Sequence, residues 1–256
     1  MKAVILAGGL GTRLSEETHL KPKPMLEIGG IPLLVHIMRL YAYYGINEFI
    51  ICAGYKAHII KNYFSSYFLN MSNVTFDFSS NSTEFHNSRA ENWKVTILDT
   101  GLNTMTGGRL ARAEPFLCEE QDFCVTYGDG LSNVDIGRLI EFHRAHKKIA
   151  TLTSVLPPGR FGALEMKQDM VAAFNEKPQG DGARVNGGFF VFNKEIFGFF
   201  KDDATILERS PLESLAALQQ LMAYEHNGFW HPVDTLRDLN TMQHLWENDL
   251  AEWKVS

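Results

Sequence analysis

Ala7-Gly8-Gly9-Leu10-Gly11-Thr12-Arg13 places three glycines and a guanidinium directly after the apolar run Lys2-Ala3-Val4-Ile5-Leu6. Glycine turns backbone amides toward an anion with no side chain in the way, because positive φ costs it little. Successive N–H groups of such a turn form a nest for phosphate oxygens. Arg13 adds a planar fork suited to phosphate, and Lys23, in Lys21-Pro22-Lys23-Pro24, a mobile point charge. Strand, bare loop and cations together read as a cradle for a nucleoside triphosphate, formed by Leu6, Ala7, Gly8, Gly9, Leu10, Gly11, Thr12, Arg13 and Lys23. The spacing is neither the dinucleotide fingerprint, which needs a glycine three residues after the second, nor a Walker loop, which closes on Gly-Lys-Ser/Thr. Two acids are candidates for a divalent cation: Asp129, between Gly128 and Gly130, and Asp234, in Pro232-Val233-Asp234-Thr235. Each also has an ordinary reading, since Asp-Gly is a turn signal and Asp234 suits a helix N-cap. Spacing alone does not pair them.

The elements that must position these residues alternate. After the loop, Leu33, Leu34, Ile37, Leu40, Tyr41 and Tyr44 recur at helical spacing, and Gly45 sits where a helix stops. Phe49 to Ala53 reads as a buried strand, and Ile59, Ile60, Tyr63, Phe64, Tyr67 and Phe68 as a second helical face. Residues 70–92 break the rhythm with an Asn- and Ser-rich excursion, in which Val74 to Phe78 alternates like a half-exposed strand. It is either a solvated loop or a hairpin that meets another subunit. Strands then follow at Val95–Leu98, Phe123–Tyr127 and Ala150–Leu156, with a short helix after Thr106-Gly107-Gly108-Arg109-Leu110 and another through Ile136, Leu139, Ile140 and His143. Shorter strands come at Ala163–Met166, Val171–Phe174 and Gly188–Phe192. Ser210-Pro211-Leu212-Glu213 has both ends of a capping box, and a last helix carries Leu236, Leu239, Met242 and Trp246. Such alternation builds an α/β fold around a mostly parallel, Rossmann-like sheet flanked by helices, with a smaller β region. Ligands of such sheets sit beyond the carboxyl ends of the strands, where Gly8 to Arg13, Thr106 to Arg109 and Asp129 all fall. A single domain spanning 1–256 is expected, with the nucleotide mainly on 1–150 and a second substrate mainly on 151–235.

Gly8-Gly9-Leu10-Gly11-Thr12-Arg13-Leu14 with Lys21-Pro22-Lys23-Pro24-Met25 resembles the signature of the sugar-1-phosphate nucleotidyltransferase family, and the resemblance runs to about Thr235. It implies that Tyr127-Gly128-Asp129-Gly130 and Val233-Asp234-Thr235 supply the two Mg²⁺ carboxylates. It implies that Lys177 of Glu176-Lys177-Pro178 holds the sugar phosphate while Glu176, Gly162 and Asn186 meet the sugar. It places Thr106, Arg109 and Gly128 against the nucleotide, Arg13 on the departing pyrophosphate and Lys23 on the α-phosphate. Ser15-Glu16-Glu17-Thr18, where thymidylyl and uridylyl members usually carry a proline, and the Thr106 loop are similar to the cytidylyl branch. That branch implies CTP and glucose 1-phosphate as partners, with UTP, dTTP or another sugar as alternatives. A non-catalytic nucleotide-sugar sensor is the alternative outside enzymes, and one that could dispense with Lys23, Asp129 or Lys177; all three are present.

The 256 residues carry a net charge of −6 and 45% apolar side chains. That balance argues against nucleic-acid binding, which needs a basic face, and against wholesale disorder. Three cysteines without a C-x-x-C pair make a disulfide framework or zinc cage improbable. No apolar run reaches the ~18–20 residues of a membrane helix, and no leader pattern precedes the first strand. A cytoplasmic location and a homo-oligomer are the corresponding expectations. No His-Glu-x-x-His or Gly-x-Ser-x-Gly motif supports zinc or serine hydrolase chemistry.

Overall fold

The apolar runs of the sequence form one central sheet, in a computed structural model that describes residues 1–11, 19–157, 163–167, 170–175 and 183–255. In chain order the first strands are β1 (Ala3–Ala7), β2 (Glu27–Ile28), β3 (Ile31–Pro32) and β4 (Glu48–Ala53). Helix α1 (Leu33–Tyr43) joins β3 to β4, and α2 (Ala57–Ser65) and α3 (Tyr67–Asn70) follow. The excursion is a hairpin of β5 (Asn73–Asp77) and β6 (Ser82–His86), and β7 (Lys94–Asp99) returns to the sheet. Then come α4 (Thr106–Ala113), β8 (Asp122–Tyr127), β9 (Gly130–Ser132), α5 (Ile136–His146) and β10 (Ala150–Val155). The hairpin β11 (Ala163–Lys167) and β12 (Met170–Asn175), β13 (Val185–Asn193), α6 (Ser210–Ala217), β14 (Leu221–His226), β15 (Trp230–Pro232) and α7 (Leu236–Glu247) complete the chain.

The seven-stranded sheet has the order β14-β10-β13-β8-β1-β4-β7. All its neighbours pair in parallel except β13, which runs antiparallel to both β8 and β10. The central strands β1, β4 and β8 are mostly apolar and buried because both faces are covered. Ala3, Ile5 and Ala7 of β1, Cys124 of β8 and Phe189 and Val191 of β13 join a core with α1, α2, α5 and α7. Val4, Leu6, Phe123, Val125, Phe190 and Phe192 join a second core with α4 and α6. Truncating a fully buried side chain such as Ile5 to alanine costs about 2–5 kcal/mol.

Two local expectations change. The short helix begins at Thr106 itself, so Gly107 and Gly108 lie within it rather than before it. A Cβ on Gly107 would stand 2.8 Å from Thr205 Cγ2, and one on Gly108 2.6 Å from the Asp203 carbonyl, so close packing explains both glycines. At Ser210 the helix starts with Arg209 as its cap and no side-chain cap bond, so the expected capping box is not formed. A capping box does occur at α7, between Thr235 and Asp238. Among the described residues no helix is long and apolar enough to cross a membrane.

Candidate active site

Beyond the carboxyl ends of β1, β4, β7 and β8 the chain turns at Gly8, Gly54, Thr100 and Gly128, and one side chain ties three of these ends together. Arg109, 5% exposed on α4, donates to Gly8 O at 3.0 Å, Gly101 O at 2.8 Å and Thr100 Oγ1 at 2.6 Å. Its remaining bonds reach Ala53 O and Leu102 O. A Cβ on Gly8 or Gly54 would fall 2.1 or 2.4 Å from its Nη1, so both positions need glycine for close approach. Burial lowers the guanidinium's pKa, yet it stays charged beside the glycine loop. Arg109 lines the cavity, and both its Nη groups donate to the chain, which makes it a brace of the rim.

The acids of the sequence meet at the same rim. β15 pairs antiparallel with β9, Pro232 facing Gly130, and Val233 N donates to Asp129 O at 2.9 Å. This short ladder sets Asp129 beside Asp234. The N-cap of α7 is Thr235, whose hydroxyl accepts from Asp238 N, so Asp234 is not the cap. Lys23 reaches both acids: its Nζ donates to Asp129 Oδ2 at 2.6 Å and to Asp234 Oδ1 at 2.7 Å. Pro22 and Pro24 fix the turn that carries it, and a Cβ on Gly128 would stand 2.9 Å from Pro24 Cγ. Burial works against the ammonium, but the carboxylates of Asp129 and Asp234 outweigh it and raise its pKa.

One cation within hydrogen-bond reach of both carboxylates shows that the pair can share an ion. Two carboxylates, with phosphate oxygens and water completing the shell, is the donor set Mg²⁺ prefers. Among the described residues no group of three or more His, Cys, Asp or Glu could hold a metal. An ion at this place therefore takes the rest of its ligands from a substrate.

A cavity of about 490 Å³ joins these parts. It is lined by Leu6, Ala7, Gly8, Gly9 and Gly11 of the loop, and by Lys23, Gly128, Asp129 and Asp234 at the charged end. Thr106 and Arg109 line it from α4. Leu10 is exposed and outside this lining. Asn186 sits at the start of β13, where its Oδ1 accepts from Gly188 N at 2.9 Å. Thr12, Arg13, Gly162, Glu176 and Lys177 lie outside the described residues. The residue pattern had not singled out Thr104, Tyr127 or Pro232, which also line the cavity, nor Glu208, which holds Thr106 and Tyr127 from behind.

Residues 2–252 match the Nucleotidyl transferase family. The chain belongs to that family. This nucleotidyl transferase is 56% identical over 255 residues to glucose-1-phosphate cytidylyltransferase of Salmonella typhimurium, a match covering 100% of this chain and 99% of that one. HddC from Yersinia pseudotuberculosis superposes with a TM-score of 0.68 at 25% identity, over 95% of this chain and 98% of that one. A UDP-glucose pyrophosphorylase complexed with UDP-glucose superposes at 0.69 with 15% identity, over 97% and 98%, and so shares the fold.

Proposed function

We propose that this nucleotidyl transferase is a glucose-1-phosphate cytidylyltransferase, joining CTP and α-D-glucose 1-phosphate into CDP-glucose and pyrophosphate. The observation that carries the reading is Lys23 held between Asp129 and Asp234 at the mouth of the glycine loop. Full-length identity to a cytidylyltransferase supports the choice of base and sugar. In the reaction an oxygen of the sugar phosphate attacks the α-phosphorus, and the bond to the departing pyrophosphate breaks. The attacking phosphate is already ionised, so no general base is needed. The chain's task is to hold both anions in line and offset the charge that develops. The amides of residues 8–11 cradle the triphosphate, Lys23 leaves its carboxylates for the α-phosphate, and Asp129 and Asp234 hold Mg²⁺. Held by these two acids, Mg²⁺ would supply Lewis-acid chemistry to the substrate's phosphates. Arg13 on the pyrophosphate, and Lys177, Glu176, Gly162 and Asn186 on the sugar phosphate, are the roles the family resemblance supports.

The β5–β6 hairpin serves a second copy of the chain. Val74 pairs with Phe85 and Phe76 with Thr83, so one face is apolar while Thr75, Asp77, Glu84 and His86 occupy the other. Phe76, Phe78 and Phe85 are exposed, Phe78 at 92%. An uncharged apolar face suits an identical face related by two-fold symmetry. Phe78→Ser should lower the oligomer mass seen by light scattering and leave the urea midpoint of the subunit unchanged; an unaltered mass contradicts this role.

A pyrophosphate-release assay with glucose 1-phosphate and each of CTP, UTP, dTTP, GTP and ATP tests the function. CTP should support the highest kcat/KM, and removal of Mg²⁺ with EDTA should stop the reaction. Equal or faster turnover with another nucleotide contradicts the cytidylyl reading.

A further inference from the structure

Glu208 stands behind two residues that line the cavity. Its Oε2 accepts from Thr106 Oγ1 at 2.7 Å, and its Oε1 accepts from the Tyr127 hydroxyl. Thr106 Oγ1 itself accepts from the backbone N–H of Leu207 at 2.9 Å. A hydroxyl owns one proton and two lone pairs. The proton of Thr106 is committed to Glu208 and one lone pair to Leu207, which leaves it a single lone pair. Tyr127 has committed its only proton to the same carboxylate. The Thr106 hydroxyl therefore has only acceptor capacity to offer a ligand, while the Tyr127 oxygen also meets the Asn186 side chain. Arg109, three residues along α4, aims its guanidinium at the carbonyls of Gly8, Gly101 and Leu102.

Nucleobases differ in what they offer such a wall. Cytosine carries an exocyclic amino group, a donor, where uracil and thymine carry a carbonyl, an acceptor. We propose that Glu208 is a specificity-determining residue: by fixing Thr106 as an acceptor it selects a base with an exocyclic amino group. The inference rests on the cytidylyl reading and on the base lying against the start of α4. Glu208 acts through Thr106 and is a positioning residue. A site built to pair one hydrogen-bonding group discriminates strongly against a base that leaves it opposed by a like group.

The test is the ratio of kcat/KM for CTP to that for UTP, with glucose 1-phosphate, in wild type, Glu208→Gln, Thr106→Val and Thr106→Ser. In Glu208→Gln the new amide N–H₂ donates to one hydroxyl and releases that hydroxyl's proton toward the ligand. The ratio should fall at least tenfold there and in Thr106→Val, and hold in Thr106→Ser, which keeps the hydroxyl and both its partners. A general loss of folding would lower both rates together and leave the ratio alone. A wild type that prefers CTP and keeps its ratio in Glu208→Gln overturns the proposal and spares the cytidylyl reading. Should Glu208→Gln fail to fold, Thr106→Val against Thr106→Ser decides in the same sense. A wild type that prefers UTP overturns both.

Discussion

Strand β8 carries an acid at each end, and the two live differently. At its start, Asp122 closes a relay that runs in one direction. The backbone N–H of Lys148 donates to His146 Nδ1, so His146 Nε2 carries a proton and donates to Thr151 Oγ1 at 2.7 Å. Thr151 then donates to His143 Nδ1 at 2.8 Å, and His143 Nε2 lies 3.6 Å from Asp122 Oδ1. Asn193 Nδ2 also donates to Asp122, at 3.1 Å. Just beyond the other end of β8, Asp129 faces a cavity and shares one ammonium with Asp234. The first end is a polar network satisfied by the chain itself, which makes it a contributor to stability. The second end brings charges to a cavity wall, where a ligand completes them. Which end a polar residue occupies thus separates folding from function.

That contrast breaks most sharply on the carboxylates. Asp129→Asn or Asp234→Asn should lower kcat by ~10²-fold or more while the urea midpoint moves little; normal turnover would remove the residue from the metal shell. Lys23→Met comes next, with a comparable loss of kcat. The same variant should bind Mn²⁺ more tightly than wild type when no nucleotide is present, as read by electron paramagnetic resonance, because an ammonium no longer shares the two acids. Equal Mn²⁺ affinities would show that Lys23 and the ion do not compete.

For polar groups that the chain itself satisfies, pH is the lever. His36, buried and bonded through Nε2 to Ile28 O, has its pKa pushed down to about 4 by burial, and burial also lowers those of His143 and His146. The unfolded chain then takes up protons first, so this stability is fully present above pH 6.5 and is lost as pH falls toward 4. For His36 alone the loss is roughly 3 kcal/mol, read as a falling urea midpoint across that window; a flat profile contradicts it. The smallest effect is Thr151→Val, which strands two imidazole nitrogens and should cost ~1–3 kcal/mol with kcat/KM unchanged. A loss of kcat/KM without a loss of stability would reverse the assignment of the two ends.

Much of this was written in local residue patterns. The glycine loop, the doublet carrying Lys23 and the alternation of strands and helices are properties of neighbours in sequence, and the structure puts them at one rim. Asp234 shows the limit: beside Thr235 it reads equally as a cap, and only the β9–β15 ladder and the box closed by Asp238 free it for Lys23. Arg109 follows the glycines and reads as a nucleotide contact, and its place beneath Gly8 and Gly54 at the cavity is a tertiary fact. Glu208 precedes a proline-started helix and carries no motif at all. Its place behind Thr106 and Tyr127 arises from contacts between residues 102 and 81 positions apart in sequence. Strand β14 escaped notice because Leu221–His226 is half-buried at the sheet edge, without the long apolar run of the central strands.

The central claim is that one ion and one triphosphate are held jointly by the glycine loop, Lys23 and the two acids. A crystal structure with CTP and Mg²⁺ tests it most directly. The account predicts the ion about 2.1 Å from oxygens of Asp129 and Asp234, phosphates over Gly8 to Gly11, and Lys23 turned from a carboxylate to the α-phosphate. An ion bound away from both acids, or a nucleotide seated outside this cavity, would contradict it.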